Sequence, residues 1–313
     1  MTIDVIIPVY RPDGKFKRLL HGLAEQTVKP DNIIVMFTRA REGDSLGPEY
    51  MEEGRKAAND FRVYELDRSE FDHGGTRAAA LTHSKAEVFM MMTMDAVPYD
   101  EHLIENITSV FERDESVASA YARQLPDEKS GLAERFTRGF NYPGTSEFKS
   151  SEDIDRLGIK TFFCSNVCAA YRRDVYDKLG GFIKRTIFNE DMIYAHKVIM
   201  NGYRIYYAAE AGVIHTHEYT PMQQFHRNFD LAVSQAMHPE VFEGVSSESE
   251  GVRYIKAAYR YFTDAGKGYL IIPFVWGCCF KYAGYLLGKR YDRLPAGLVR
   301  ACAMNKGFFD KRG

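Results

Sequence analysis

The sequence predicts an α/β protein: a mostly parallel sheet flanked by helices, with a helical C-terminal extension. Three observations predict it. Continuous β-branched or apolar runs recur through the first 125 residues, helix-spaced segments separate them, and strand patterns cease after about residue 238. Runs that are apolar at every position suit strands buried on both faces, and alternating strands and helices build parallel sheets covered on both sides.

In order, Ile3–Val9 (IDVIIPV) reads as the first strand. Phe16–Gln26 reads as a helix, with Phe16, Leu19, Leu20 and Leu23 at helical spacing. Asn32–Phe37 (NIIVMF) and Phe61–Leu66 are the next strands. Thr76–His83 reads as a helix opened by Gly74-Gly75, and Val88–Met94 as a fourth strand ending at Asp95. Asp100 is placed to cap a helix over Glu101–Glu112, and Val117–Arg123 is a further strand. Ligands of such sheets bind beyond the carboxyl ends of the strands, which puts Tyr10, Phe37, Thr38 and Asp95 around one crevice.

From Gln124 to Ser234 the pattern is mixed. A polar loop region (Asp127–Asp155) precedes a strand at Asn166–Tyr171 and a helix over Glu190–Asn201. Two short strands follow, Arg204–Tyr207 and Val213–His217, then a helix from about Pro221. EGVSSESEG, after Pro239, reads as a linker, and Val252–Lys311 as helices. The expected division is 1–238, in halves 1–125 and 126–238, and a helical region 250–313.

Composition narrows the function classes. With 45% hydrophobic and 27% charged residues the chain is globular rather than disordered. A net charge of −2 argues against a general nucleic-acid binder. From Asp264 to Gly313, however, nine Lys or Arg stand against three Asp, a local +6. The five cysteines are odd in number, and Cys164 and Cys168 lack the second pair of a zinc site, so free thiols in a reducing cytoplasm are expected. MTIDVIIPVY has no basic region and does not read as a signal peptide. The longest apolar run, Leu270–Phe280, is interrupted by Pro273 and falls short of the ~20 residues of a spanning helix.

Several residues can carry chemistry. Asp95 ends an apolar strand, where a carboxylate is costly unless it faces a crevice or a cation; it can equally cap a turn. Glu190 and Asp191 open a helix, which its dipole favours; one can also serve as a general base. His215 and His217 share a strand face, a spacing that can bind a divalent cation or simply end a strand. Asp72, Gly74, Gly75 and Arg77 precede a helix and could meet a phosphate or sugar, although neither the Walker nor the dinucleotide glycine pattern is present. His226-Arg227 could present positive charge to a phosphate or to solvent.

Taken as an ordered set, these segments are far more specific than any one of them. VIIPVYRP, FDHGGTRAAAL, TMDA at a strand end, GGF before NEDMIYAHKV, and VIHTHEYT with QQFHRNFD resemble family-2 glycosyltransferases. Within that family, FDHGGTR, the T-x-D-A form and HTHEYT are similar to bacterial rhamnosyltransferases that use dTDP-L-rhamnose. The resemblance spans about residues 3–235 and, weakly, KYAGYLLGKRYDRLP in the tail. It implies a GT-A (Rossmann-like) fold, with 1–125 as the nucleotide-binding half and 126–238 as the acceptor and catalytic half. It also implies an inverting transfer of a sugar, L-rhamnose by preference, to a hydroxyl of a cell-surface polysaccharide or polyprenyl-linked glycan precursor.

By the same resemblance Asp191 is the general base with Glu190 beside it. Asp95 is the surviving acid of a D-x-D motif (here Thr93-Met94-Asp95) that bridges Mg²⁺ or Mn²⁺ to the donor diphosphate. His215 is a further metal ligand, and His217 shares that task or touches the diphosphate. Arg77 approaches the nucleotide, Pro8, Val9 and Tyr10 line the base pocket, and Gln224 and Arg227 support the leaving diphosphate. Three positions depart from the family pattern: the single acid of the D-x-D motif, Phe37-Thr38-Arg39 where many members carry an acidic residue, and the missing tryptophan after Arg227.

The tail sets Tyr269, Leu270, Ile271, Ile272, Phe274, Val275 and Trp276 beside Lys281, Lys289, Arg290 and Arg293. That mixture fits a segment lying on anionic lipid at the inner face of a membrane, or a bundle packed on the catalytic domain or on a second copy of the chain. The alternatives in function are a UDP-hexose transferase and a non-catalytic nucleotide-binding assembly subunit of the same fold. The presence of both Asp95 and Asp191 argues against the latter.

Overall fold

Among the described residues nine strands pair into one sheet: β1 (Ile3–Tyr10), β2 (Asn32–Thr38), β3 (Asp60–Leu66), β4 (Val88–Met92), β5 (Val97–Pro98), β6 (Val117–Leu125), β7 (Glu147–Lys149), β8 (Cys168–Arg172) and β9 (Arg204–Ile214). Their order is β3-β2-β1-β4-β8-β6-β9-β5, with β7 also on β9. β1 to β4 run parallel, as expected of apolar runs separated by helices. Beyond them β8 lies antiparallel between β4 and β6, so the sheet is mixed in its second half. The computed structural model describes residues 1–217, 219–243 and 248–310. It divides into two units, the first formed by 1–127, 141–185 and 190–215 and the second by 128–140, 186–189 and 216–313.

The first unit holds the whole sheet. Its helix Gly14–Ala24 starts where the Asp13 side chain accepts from Lys15 N, and it buries Phe16, Leu19, Leu20 and Leu23 against the sheet core. An isolated helix this short is marginal in water, so those four side chains, worth roughly 1.5–3 kcal/mol each, hold it in place. Register then sets the strand ends. Val9 pairs with Phe37 and Tyr10 with Thr38, so β1 and β2 finish side by side. Met92 pairs with Cys168, which brings Thr93 N onto Val167 O at 3.0 Å.

Three expectations are corrected. Arg204–Tyr207 and Val213–His217 are not two strands: β9 is continuous over Arg204–Ile214, and a register shift between Ala122 and Arg123 absorbs the mismatch with β6. The polar stretch Asp127–Asp155 contains the helix Leu132–Asn141 and the strand β7, because Phe136 and Lys149 are buried among its polar residues. The helix expected at Glu101 begins at Leu103, with Asp100 accepting from His102 N one turn ahead.

The second unit is helical. Pro221–Met237 opens with a capping box between Thr220 and Gln223 and with proline at its start, a strong start signal. The helix Ile271–Gly288 packs along it: Gly284 lies on the carbonyl oxygen of Phe225 and Gly288 on that of Phe229, where a Cβ would collide. Phe229, Val233, Val299 and Cys302 form one small core, and Phe136, Ala258 and Phe262 another. With the turn before it, Gly268–Gly288 makes 21 residues that include an 18-residue window of mean hydropathy 1.5, long and apolar enough to cross a membrane by length and composition. The apolar run that stops at Phe280 therefore understates this helix, which continues through Lys281. Residues 244–247 of the expected linker lie outside the described residues.

Candidate active site

The first unit gathers three groups of polar residues at the strand ends. At the end of β1 and β2, a cleft is lined by Arg11, Pro12, Phe37, Thr38, Ser45 and Tyr50. Thr38 was expected there. Arg11 was not, yet it adopts φ +49°, a left-handed conformation uncommon for any residue but glycine. Tyr10 stands beside it with the guanidinium carbons of Arg11 and Arg68 5.2 and 5.8 Å from its ring. Val9, in contrast, is 1% exposed and belongs to the core, because alternate strand residues point to opposite faces. Its side chain lines no base pocket.

The second group lies where β4, β6 and β9 end. His215 Nε2 stands 3.5 Å from Asp95 Oδ1, and its Nδ1 lies 2.9 Å from Gln124 Oε1. The Gln124 amide nitrogen donates to Tyr142 Oη and Ser165 Oγ, so Oε1 is the atom that faces His215 and the imidazole proton sits on Nδ1. In the neutral ring Nε2 then presents a lone pair toward a carboxylate oxygen. Two acceptors at that distance repel unless a proton or a cation stands between them. The Thr93 hydroxyl, two residues before Asp95, is buried and has no hydrogen-bond partner among the described residues. Met94 packs against the core. An acid, an imidazole with an oriented second nitrogen, and a spare hydroxyl fit a divalent cation. His217 follows two residues along the chain, its ring stacked on Tyr219 with centroids 5.1 Å apart.

The third group opens the helix Glu190–Met200. Asp191 Oδ2 accepts from Asn166 N at 3.0 Å and Oδ1 from Met192 N at 2.8 Å. Burial, and then the neighbouring Glu190, push its carboxyl up to about 7 despite those two amides and Arg77. Glu190 is itself buried, paired with Arg77 at 3.1 Å and with Asn166 Nδ2 at 3.1 Å. Arg77, expected at the nucleotide, is thus engaged with this carboxylate. Asn166 was not anticipated as a site residue, since nothing in CSNVCAAY marks it in sequence. Asn189, just before the pair, has φ +63°.

The loop before the helix His73–Ala80 does not present the anion site expected of it. Asp72 is the N-cap, and its side chain already accepts from Gly74 N at 3.0 Å and Gly75 N at 2.8 Å. Both glycines are required for close approach to the backbone: a Cβ at Gly74 would collide with Ile183 O, and one at Gly75 would meet Lys184 O at 2.8 Å. Asp72, Gly74 and Gly75 thus shape the chain around Arg77. In the second unit, Gln224 and Arg227 lie three residues apart on the helix Pro221–Met237. The Arg227 guanidinium carbon is 4.7 Å from the Phe188 ring centroid and 6.0 Å from that of Tyr219.

Comparison with known proteins places this geometry in a family. Residues 4–180 match glycosyl transferase family 2. The chain is 35% identical to the O-antigen chain rhamnosyltransferase RfbN of Salmonella typhimurium, over 99% of this chain and 96% of that one. It is 35% identical to the O-antigen chain rhamnosyltransferase WbaN of Salmonella anatum over the same shares. Among solved structures, the mannosyltransferase PcManGT of Pyrobaculum calidifontis, in complex with GDP-Man and Mn²⁺, aligns with a TM-score of 0.55 at 15% identity, over 98% of this chain and 84% of that one. S. aureus TarS 1-349 in complex with UDP-GlcNAc aligns at 0.52 and 15%, over 94% and 92%. These similarities confirm the GT-A fold, and the chain belongs to glycosyl transferase family 2.

Proposed function

We propose that the enzyme transfers L-rhamnose from dTDP-L-rhamnose, with inversion, to a hydroxyl of a cell-surface polysaccharide or its lipid-linked precursor. The rhamnosyl preference rests on the near full-length similarity to O-antigen rhamnosyltransferases. One structural observation carries the mechanism: a buried carboxylate, Asp191, poised near neutral pH at the start of a helix. A sugar hydroxyl is a weak nucleophile, and a base of this kind removes its proton as the acceptor oxygen attacks the anomeric carbon. The new glycosidic bond forms as the bond from that carbon to the diphosphate breaks, and dTDP departs. A single displacement needs one such base, unlike the two carboxylates of glycoside hydrolysis.

Asp95 and His215 would hold Mg²⁺ or Mn²⁺ in this reading, and His217 would share that task or touch the diphosphate. The ion, when bound, neutralises charge that gathers on the departing diphosphate. Tyr10, Arg11 and Thr38 hold the nucleotide base, and Gln224 and Arg227 stabilise the diphosphate. Residues 1–125 serve the nucleotide and 126–238 the acceptor. The test is a donor screen that reads nucleoside diphosphate release by mass spectrometry, with and without Mn²⁺. Release from UDP-hexoses but not from dTDP-rhamnose would overturn the donor assignment.

The helix Ile271–Gly288 supports a peripheral contact with anionic lipid. Gly284 and Gly288 seat one face on Pro221–Met237, while Ile272 (74% exposed), Trp276 (60%) and Cys279 lie on another. Lys267, Arg290 and Arg293 are exposed at its two ends. Apolar and aromatic side chains flanked by cations match the interface of an anionic bilayer, where a lipid-linked acceptor would be found.

A further inference from the structure

Behind the carboxylate pair lies a run of hydrogen bonds with one direction. Asn166 is 3% exposed and Tyr171 is fully buried in the central strand β8. Tyr171 Oη donates to Asn166 Oδ1 at 2.7 Å, and Asn166 Nδ2 donates to Glu190 Oε1 at 3.1 Å. The Cys164 thiol lies 3.6 Å from the same phenol oxygen. Burial pushes the thiol up to about 12 and raises the phenol well above its usual range, so both stay protonated and neutral. The sense of the run is therefore thiol to phenol, phenol to amide oxygen, amide nitrogen to Glu190. An amide oxygen only accepts and its nitrogen only donates. Once the phenol holds Oδ1, the amide nitrogen must face the carboxylate.

The effect on the two acids is unequal. Glu190 receives a side-chain donor from Asn166 and the guanidinium of Arg77. Asp191 receives two backbone N–H groups and faces the charge of Glu190. The segment that carries Asn166 is pinned from behind, since Lys149 Nζ donates to the carbonyls of Lys160 at 3.1 Å and Phe163 at 2.8 Å. Arg77 is the cation that faces both acids, paired with Glu190 at 3.1 Å and acting on Asp191, while Lys149 acts on the Cys164 segment.

We propose that Tyr171 is a positioning residue: by fixing the Asn166 amide it keeps Glu190 as the buried anion and leaves Asp191 as the base that takes the acceptor's proton. This rests on the reading of Asp191 as the base. Two carboxylates that repel each other separate their roles only if their surroundings differ, and the Tyr171–Asn166 pair supplies a difference.

The test is Tyr171→Phe, compared with Asn166→Ala and Asp191→Asn. Tyr171→Phe frees the amide to turn its oxygen toward Glu190. Glu190 then takes up the proton more readily, Asp191 loses the repelling charge beside it, and its carboxyl becomes a weaker base. The expected result is a kcat reduced about tenfold with KM for the donor unchanged, and an acidic limb of kcat/KM moved down by about one pH unit. Asn166→Ala, which keeps the backbone N–H on Asp191, should move the limb in the same direction. A merely structural role would reduce the amount of folded protein and leave the limb in place. If Asp191→Asn is inactive while both other variants keep the wild-type kcat and pH profile, the positioning role is overturned and the base survives. An active Asp191→Asn removes the base reading itself.

Discussion

The backbone N–H of Asn166 donates to Oδ2 of Asp191 at 3.0 Å, across 25 residues of chain. That bond ties the turn entering β8 to the first turn of the helix Glu190–Met200, and it fixes one lone-pair direction of the carboxylate. The other oxygen accepts from Met192 N. Asp191→Asn should keep one of these two bonds, through its amide oxygen, while removing the proposed base. Transfer should fall ~10²–10⁴-fold, with donor affinity by calorimetry unchanged. A variant that keeps more than about a tenth of the activity would show that another group takes the proton.

The pH dependence follows from the raised carboxyl. Asp191 works as a base only when ionised, and its carboxyl is pushed up to about 7 by burial and by Glu190. Activity should therefore rise with pH through about 7, and kcat/KM should drop roughly tenfold per unit on the acid side. A profile flat down to pH 5 would place the essential group elsewhere.

The Asp95–His215 pair predicts cation-dependent nucleotide binding. Asp95→Ala should weaken dTDP affinity strongly in Mn²⁺ and little in chelator, and His215→Ala should show a smaller version. Mn²⁺ uptake by the protein alone, followed by loss of the free-ion electron paramagnetic resonance signal, gives a readout separate from turnover. If wild type binds dTDP equally well in Mn²⁺ and in chelator, the pair serves the fold rather than an ion.

Lys149 makes a stability prediction of definite sign. Burial pulls its ammonium from 10.5 down to about 7 in the folded protein. Between about pH 7 and 10 the unfolded chain holds a proton that the folded one lacks, so this group makes stability rise with pH. The slope is at most about 1.4 kcal/mol per unit. Against Lys149→Met, wild type should be relatively more stable at pH 9 than at pH 7 in urea titrations. An equal difference at both values would mean the ammonium stays charged.

For the tail, Ile272→Glu with Trp276→Glu should abolish co-sedimentation with phosphatidylglycerol vesicles and leave dTDP binding intact. Wild-type binding should weaken at high salt, because the basic contribution is screened. Loss of a dimer in the double variant, with wild type ignoring the vesicles, would assign the face to a second copy instead. Gly284→Leu should act differently, lowering stability by about 1–3 kcal/mol as the side chain meets the Phe225 carbonyl.

Much of the candidate site was legible because its polar residues stand at element ends. Asp95 closes an apolar strand, Glu190-Asp191 opens a helix, and His215 leaves a strand; each position shows in the periodicity. Asn166, Tyr171 and Gln124 were not legible. Each lies in or beside an ordinary strand pattern, and each matters only through a partner 24 or more residues away or, for Tyr171, through Asn166. Asp72, Gly74 and Gly75 misled for a related reason. A glycine-rich helix start looks the same whether its amides meet a phosphate or the cap residue itself.

By itself the sequence determined the order of strands and helices in the first half, the family, and the polar residues that end those elements. Period and punctuation are local properties, and side-chain spacing records them directly. Only the tertiary structure decided which ends meet. The register of β1 with β2 sets Tyr10 beside Thr38, and the shift at Ala122–Arg123 leaves Gln124 beside His215. Only the tertiary structure, again, buried Asp191 against Glu190 and raised its carboxyl. Desolvation and like-charge contact depend on what packs around a group, and no reading of its neighbours in the chain contains that information.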